Sequence, residues 1–321
     1  MSWKRTILLL VLLVLLIIVY NQKILWKPSV EEPDSYRVKS KSAFILELPE
    51  RHVITRIKLS RGNDKNSEMT LEKKGDHKWW IAHPVEYPAE SLIADGFVSL
   101  LKLSGRIREL SFEGLAESEF GFDQPRLKIC MSTSPEGAER CLAIGSQGAI
   151  VKGAYAKWND EQKFFIVNEN FLAAFDKSLY ALRKKRVFDF SDESEIQVIR
   201  IRDQSNEYKI KRDGKSWFLI EPAEMMIGSD PVSKFLQDLN VLYIKEFIDD
   251  MKWRAEEYGL TRPVCIVRLV FKDRSKKTLI VGKEAPGRDA YYAKMEDLDQ
   301  VFLLSYSKFN EIQEVFKSLV K

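Results

Sequence analysis

The chain opens with one uninterrupted apolar run, Ile7 to Val19, behind Lys4 and Arg5. A polar stretch from Lys27 to about Ser42, with Pro28, Pro33 and a mixture of charges, has too few large apolar residues to fold and reads as a tether. Ordered patterning begins at Phe44-Ile45-Leu46. From there apolar and polar positions mostly alternate in short runs, which predicts half-buried strands. Val198-Ile199-Arg200-Ile201-Arg202 is one. Tyr208–Lys211 and Trp217–Ile220 flank Asp213-Gly214, a type I′ hairpin signal. Pairing Arg212 with Lys215 puts Tyr208, Ile210, Trp217 and Leu219 on one face. The period then changes: Val232, Phe235, Leu236, Leu239 and Leu242 make a helical stripe, with Asp230 as its expected cap and Pro231 at its first position.

The same pattern occurs earlier in the chain. Trp79, Pro84, Gly121 and Pro125 recur as Trp217, Pro222, Gly259 and Pro263, each 138 residues on (217 − 79 for the first). Met69, Leu71, Trp79 and Ile81 form the earlier hairpin face, with one extra residue around Gly75. Leu92, Ile93, Phe97, Leu100 and Leu101 form the earlier helical stripe. Strands are expected at 126–133, 139–145, 150–157 and 163–167, closed by a helix bearing Phe171, Leu172, Phe175 and Leu179. The later copy closes with Phe309, Ile312, Phe316 and Leu319. Strands come in runs and not in βαβ alternation, so the expected class is α+β: two similar domains, each an antiparallel sheet covered by two helices. The expected boundaries are an N-terminal membrane anchor at 1–22, a tether at 23–43, a first repeat domain at 44–186 and a second at 187–321.

The apolar run changes the picture by giving an address. It is short for a transmembrane helix, but Trp3, Tyr20 and Trp26 can anchor it at the interfaces and Lys4 and Arg5 can snorkel. Those two cations place the N-terminus in the cytoplasm. Asn21-Gln22-Lys23-Ile24-Leu25-Trp26 offers no small-x-small cleavage site. The expectation is a single-pass protein of the inner membrane with its body outside the cytoplasm, in the periplasm. A cleaved signal peptide is the rival. Net charge is +4 from 51 basic and 47 acidic residues, which calls for no nucleic acid. The densest basic run, Arg183-Lys184-Lys185-Arg186, reads as a solvated helix end.

An exported body makes disulfides possible. Cys130 and Cys141 flank Ser134-Pro135-Glu136-Gly137. With Pro135-Glu136 as a two-residue loop, Ile129 meets Leu142 and Leu127 meets Ile144 on one apolar face, and Cys130 opposes Cys141 on the other. A type I turn with a bulge at Gly137 would slip the register by one and separate the thiols. The apolar match favours the first register. Cys265 aligns with Leu127, an inward position, and reads as a small buried hydrophobe.

The search for catalytic chemistry returns no set. His52, His77 and His83 form no metal-binding spacing, and no cofactor motif occurs. Gly145-Ser146-Gln147-Gly148 follows a strand but precedes no helix. Glu119 and Glu257 recur beside an aromatic-Gly pair, where a carboxylate capping backbone amides is the simplest account. Tyr155-Ala156-Lys157 recurs as Tyr292-Ala293-Lys294, on strands, and reads as sheet packing. No catalytic, cofactor or metal residue is therefore expected.

Val53-Ile54-Thr55-Arg56-Ile57, Trp79 with Pro84, Phe120-Gly121-Phe122 with Pro125, Leu142-x-Ile144-Gly145 and Tyr155-Ala156-Lys157 together resemble a bacterial domain-of-unknown-function family numbered 4340, in two tandem copies over 44–321. The resemblance implies a single-anchor cell-envelope protein of the kind associated with ABC-type exporters. The expected function is a non-enzymatic, membrane-anchored scaffold or auxiliary subunit of an envelope export complex, with an envelope membrane protein as partner. The alternative is a lipid- or glycan-binding envelope protein using the cleft between the repeats, and behind it an undetected hydrolase-like activity. The Cys130/Cys141 pair departs from the repeat, since copy two has Arg268 and Thr278 there.

Overall fold

A computed structural model describes residues 43–49, 52–62, 67–75, 77–112, 114–134, 137–148, 152–249 and 255–320. The expected anchor, nearly all of the tether, and the Pro135-Glu136 loop lie outside the described residues. No helix among the described residues is long and apolar enough to cross a membrane. Residues 44–321 form one compact unit.

Its described residues hold two antiparallel sheets of nine strands each, with five α-helices, an α+β fold. The first sheet contains β1 (Arg56–Ser60), β2 (Met69–Lys74), β3 (Lys78–His83), β4 (Tyr87–Pro88), β5 (Arg108–Leu110), β6 (Leu127–Ser132), β7 (Arg140–Gln147), β8 (Ala154–Trp158) and β9 (Phe164–Val167). Its spatial order is β4-β3-β2-β1-β6-β7-β8-β9-β5. The second contains β10 (Ile196–Asp203), β11 (Glu207–Asp213), β12 (Ser216–Glu221), β13 (Met225–Ile227), β14 (Ile244–Phe247), β15 (Cys265–Phe271), β16 (Lys276–Glu284), β17 (Ala290–Met295) and β18 (Phe302–Ser305). Its order, β13-β12-β11-β10-β15-β16-β17-β18-β14, repeats the first strand for strand.

Alternation decides which side chains enter the cores. Ile57, Leu59, Leu71, Trp79, Ile81, Ile129, Leu142 and Ile144 are buried together with Ala94, Phe97 and Leu101 of α1 (Ser91–Leu103) and Phe171 and Phe175 of α2 (Glu169–Phe175). The Trp79 indole donates to Asp95 Oδ1 at 2.7 Å, so the largest core side chain also fixes α1. In the second repeat Ile199, Ile210, Trp217, Leu219 and Leu269 pack with Val232, Phe235, Leu236 and Leu239 of α4 (Ser229–Asn240) and Phe309, Ile312, Phe316 and Leu319 of α5 (Tyr306–Leu319).

Local details depart from the expectations. The hairpin after β11 pairs Arg212 with Trp217, leaving Gly214-Lys215 as the loop. A type I′ turn needs positive φ at both central residues; here only Gly214, at 58°, has it, which suits a glycine-first turn. The shift is by two residues, so the inward face is unchanged. Asp230 does not cap α4: the helix starts at Ser229 after Gly228, and Asp230 sits in its first turn, where its charge opposes the helix dipole. Leu92 is 83% exposed, and Ala94 takes the inward place. The closing helix of the first repeat is broken into α2 and a single turn, α3 (Leu179–Leu182). Arg61 Nη2 takes the carbonyls of Phe175 (3.3 Å) and Lys177 (2.7 Å), and the Ser178 hydroxyl then caps a new start through the Ala181 amide (3.2 Å). The first repeat therefore carries three helical pieces where two were expected.

Candidate functional site at the junction of the repeats

β4 is an edge strand of the first sheet and β14 an edge strand of the second. The chain from 182 to 187 runs between them. On one side Glu90 N donates to Leu182 O (2.7 Å) and Lys184 N to Pro88 O (2.9 Å); on the other Ile244 N donates to Lys185 O (2.8 Å) and Val187 N to Leu242 O (3.0 Å). The connection thus satisfies the backbone groups that two sheet edges would otherwise leave open.

Side chains close the same seam. Tyr87, on β4, is buried in the core of the second repeat, where its ring meets Phe247 edge-on at 5.2 Å. Burial pushes its hydroxyl above the usual tyrosine range, with Arg183 pulling the other way. Arg183 is only 1% exposed, and its guanidinium lies 4.5 Å from the Phe247 ring. Nη1 donates to Asp249 Oδ2 at 2.8 Å, and Nη2 is 2.8 Å from Oδ1 without being aligned to donate. Its buried Nε has no hydrogen-bond partner among the described residues. The basic tetrad does follow a helix end, as expected: Arg183 caps α3, and Lys185 Nζ donates to the carbonyls of Tyr180 (3.2 Å) and Ala181 (3.1 Å), but Arg183 itself is not solvated. It is the most buried charge among the described residues, because the chain there runs extended between two sheet edges, bridging Ala89 and Tyr243, and its side chain points into the seam.

Beside the seam opens a cleft of about 250 Å³, lined by Lys78, Trp80, Lys184, Arg186, Asp189, Lys277 and Asp297 among others. Three cations converge on Asp189: Lys184 on its carboxylate, Arg186 Nη1 at 3.4 Å from Oδ1, and Lys277 Nζ at 2.7 Å from the main-chain oxygen. Burial raises the Asp189 carboxyl, but the Lys184 hydrogen bond and the surrounding cations outweigh it and hold it below the usual range. Burial, with repulsion from Lys184, pulls the Lys277 amine down. The cleft between the repeats thus sets these charges beside an apolar wall of Tyr87, Pro88, Val187, Met295 and Leu298.

The residues singled out in the sequence lie elsewhere and are spent on structure. Cys130 and Cys141 face each other on β6 and β7 with Cα atoms 4.0 Å apart and their sulfurs joined as a disulfide. Glu139 is close by, but sulfurs in a disulfide cannot ligate a metal. Glu119 Oε1 accepts from the Ala116 amide at 3.0 Å, satisfying a backbone donor at the start of the short helical turn 117–120. Tyr155 packs edge-on against Phe120 at 5.0 Å, and Lys157 pairs with Glu117. Tyr292 meets Tyr258 at 4.5 Å in the equivalent place. Gly145 and Gly282 lie under the preceding aromatic residue: a Cβ on either would sit 2.0 Å from Phe120 O or 2.1 Å from Tyr258 O. Cys265 is buried, and burial pushes its thiol up to about 12.

The junction residues Tyr87, Phe247 and Asp249 carried no motif. A signal existed: Tyr87 is matched by Met225 in the second repeat, so an aromatic residue occurs in one copy alone, at a strand edge. A family model described as "Domain of unknown function (DUF4340)" matches residues 79–218 and 217–321. No curated protein matches the chain.

Proposed function

From the premise that the chain belongs to the DUF4340 family, a domain of unknown function present here in two tandem copies, we propose that it is a non-enzymatic, membrane-anchored scaffold or auxiliary subunit of an envelope export complex. The observation that carries this reading is the fate of the recurring polar residues. Glu119 caps backbone and Lys157 pairs with Glu117, so in the first repeat these groups serve the architecture. The junction joins the repeats through backbone, a buried ion pair and a shared core, which suits a body that presents one continuous surface. Recognition by such a surface rests on area and shape, with affinity concentrated in a few buried anchors.

In this reading residues 1–22 hold the protein in the inner membrane with the N-terminus in the cytoplasm, the following segment is a tether, and the body faces the periplasm. The partner is an envelope membrane protein, an ABC-type exporter component by the family resemblance. Crosslinking in living cells followed by mass spectrometry tests it: a membrane-transport component should be recovered. Recovery of none, together with substrate turnover by the purified protein, would overturn the scaffold reading. Protease treatment of spheroplasts should digest the body; full protection would reverse the proposed orientation.

A further inference from the structure

The two repeats place equivalent edge strands in different surroundings. β3 and β4 pair as Ile81 with Tyr87 and Trp80 with Pro88. β12 and β13 pair in the same register, Leu219 with Met225 and Phe218 with Met226. The edge of β4 is covered by the connection 182–187, which accepts from Glu90 N and donates to Pro88 O. The structural equivalents of those two backbone groups are Gly228 N and Met226 O. The β13 edge has no strand beyond it among the described residues. Tyr87 is 3% exposed, whereas Met225 is 39% and Met226 70% exposed.

The remaining outer edge gives a control. β5 is also the last strand of its sheet, and it carries Arg108 and Glu109, both exposed. Charged side chains on an edge are a common protection against stray strand pairing. β13 lacks that protection and presents two methionines, whose flexible thioethers adapt to varied partners. Glu224 lies immediately before it and Asp230 shortly after, both exposed. The strand seated on the equivalent edge carries Arg183-Lys184-Lys185-Arg186.

The geometry points to the β13 edge as a docking site for an extended, basic peptide segment of a partner protein, added as a further strand in the way 182–187 is added to β4. Backbone hydrogen bonds would supply the common part of the affinity, and the two methionines, on opposite faces of the strand, one apolar contact on each face of the added segment. This deepens the scaffold reading by naming its contact surface, and it is tested apart from that reading.

The probe is a synthetic peptide with the sequence of residues 181–190 of this chain, fluorescently labelled and titrated by polarisation against the purified full-length protein. Saturable binding is expected. Met226→Lys, which places a cation on the edge, should weaken it at least about tenfold, the scale of one charge-assisted hydrogen bond. Gly228→Pro should weaken it as well: φ at this residue is −59°, which proline adopts, and the outward N–H is lost. Both variants should melt at the wild-type temperature. A peptide with proline in place of Lys184 should bind poorly, because the donating amide is gone. Absence of saturable binding, or equal binding by the Met226→Lys variant, would overturn the proposal. So would a dimer of the unliganded chain that Met226→Lys dissolves, since a second copy would then be the occupant. Failure of the peptide with recovery of an exporter component by crosslinking would leave the scaffold reading standing and this edge excluded.

Discussion

One cross-strand position is solved in two ways. On β6 and β7 it holds Cys130 opposite Cys141, covalently joined. On β15 and β16 the same position holds Arg268 opposite Thr278, with Arg268 Nε donating to Thr278 Oγ1 at 3.0 Å and Nη2 3.3 Å from Glu296. Both pairs lie on the sheet face away from the helices, and the inward neighbours on each side remain apolar. The inward face is thus fixed by packing in both repeats, while the outward face tolerates different chemistry. What the duplication holds constant is register and core; what it varies is how the outer face is tied.

The sharpest way to break this equivalence is at the shared glycines. Gly145→Ala and Gly282→Ala each place a methyl about 2 Å from a backbone oxygen. Each should cost about 3 kcal/mol or more, because backbone must move. Denaturant unfolding checks this, and a cost under about 1 kcal/mol in only one repeat would end the claim that the two strand glycines do the same job. Next in size is the disulfide, which spans a sequence separation of 11. Replacing both cysteines by alanine should lower stability by about 2–3 kcal/mol. Peptide mapping without reductant should recover Cys130 and Cys141 as a linked pair; two free thiols in freshly isolated protein would remove the covalent half of the comparison.

Alkali should separate the repeats. The Cys265 thiol is raised to about 12 in the folded state, so the folded form holds its proton more tightly than the unfolded form. Its contribution is intact below the unfolded thiol value near 8.5 and is lost as pH rises towards 12, about 3 kcal/mol by pH 10.5. The Tyr291 hydroxyl, raised by burial to about 12, acts in the same repeat and direction. Limited proteolysis at rising pH should therefore cut first within 196–319, and Cys265 should become reactive to thiol reagents in step. Cleavage beginning in the first repeat would refute the ordering. The smallest effect belongs to Thr278→Val, which removes one part-buried hydrogen bond from a buried side chain and should cost about 1 kcal/mol by denaturant midpoint.

Much of the architecture was legible because it was written twice. The face of Ile210, Trp217 and Leu219 survives a wrong turn assignment, since a two-residue slip keeps side-chain parity. The register of Cys130 and Cys141 followed from matching Ile129 with Leu142, a pairing that the core enforces. Caps were less legible: Asp230 and Ser229 both can start a helix, and chain direction after Gly228 decides between them. The junction was the least legible, because Tyr87, Arg183 and Phe247 are far apart in sequence and meet only when two sheet edges approach. A run of four cations looks solvated until the fold lays one of them against a pair of touching rings.

Tyr87 has a consequence for how the protein is made. It belongs to the first sheet by pairing and to the second core by contact. As the chain emerges from the ribosome, the first repeat can assemble its own interior, yet its β4 edge stays bare until residues 182–187 arrive. The second repeat inherits that covered edge as part of its own interior, so a chain beginning at 187 would fold around a vacancy the size of a tyrosine ring. Similar as they are, the two halves are not interchangeable: a side chain of the first completes the interior of the second.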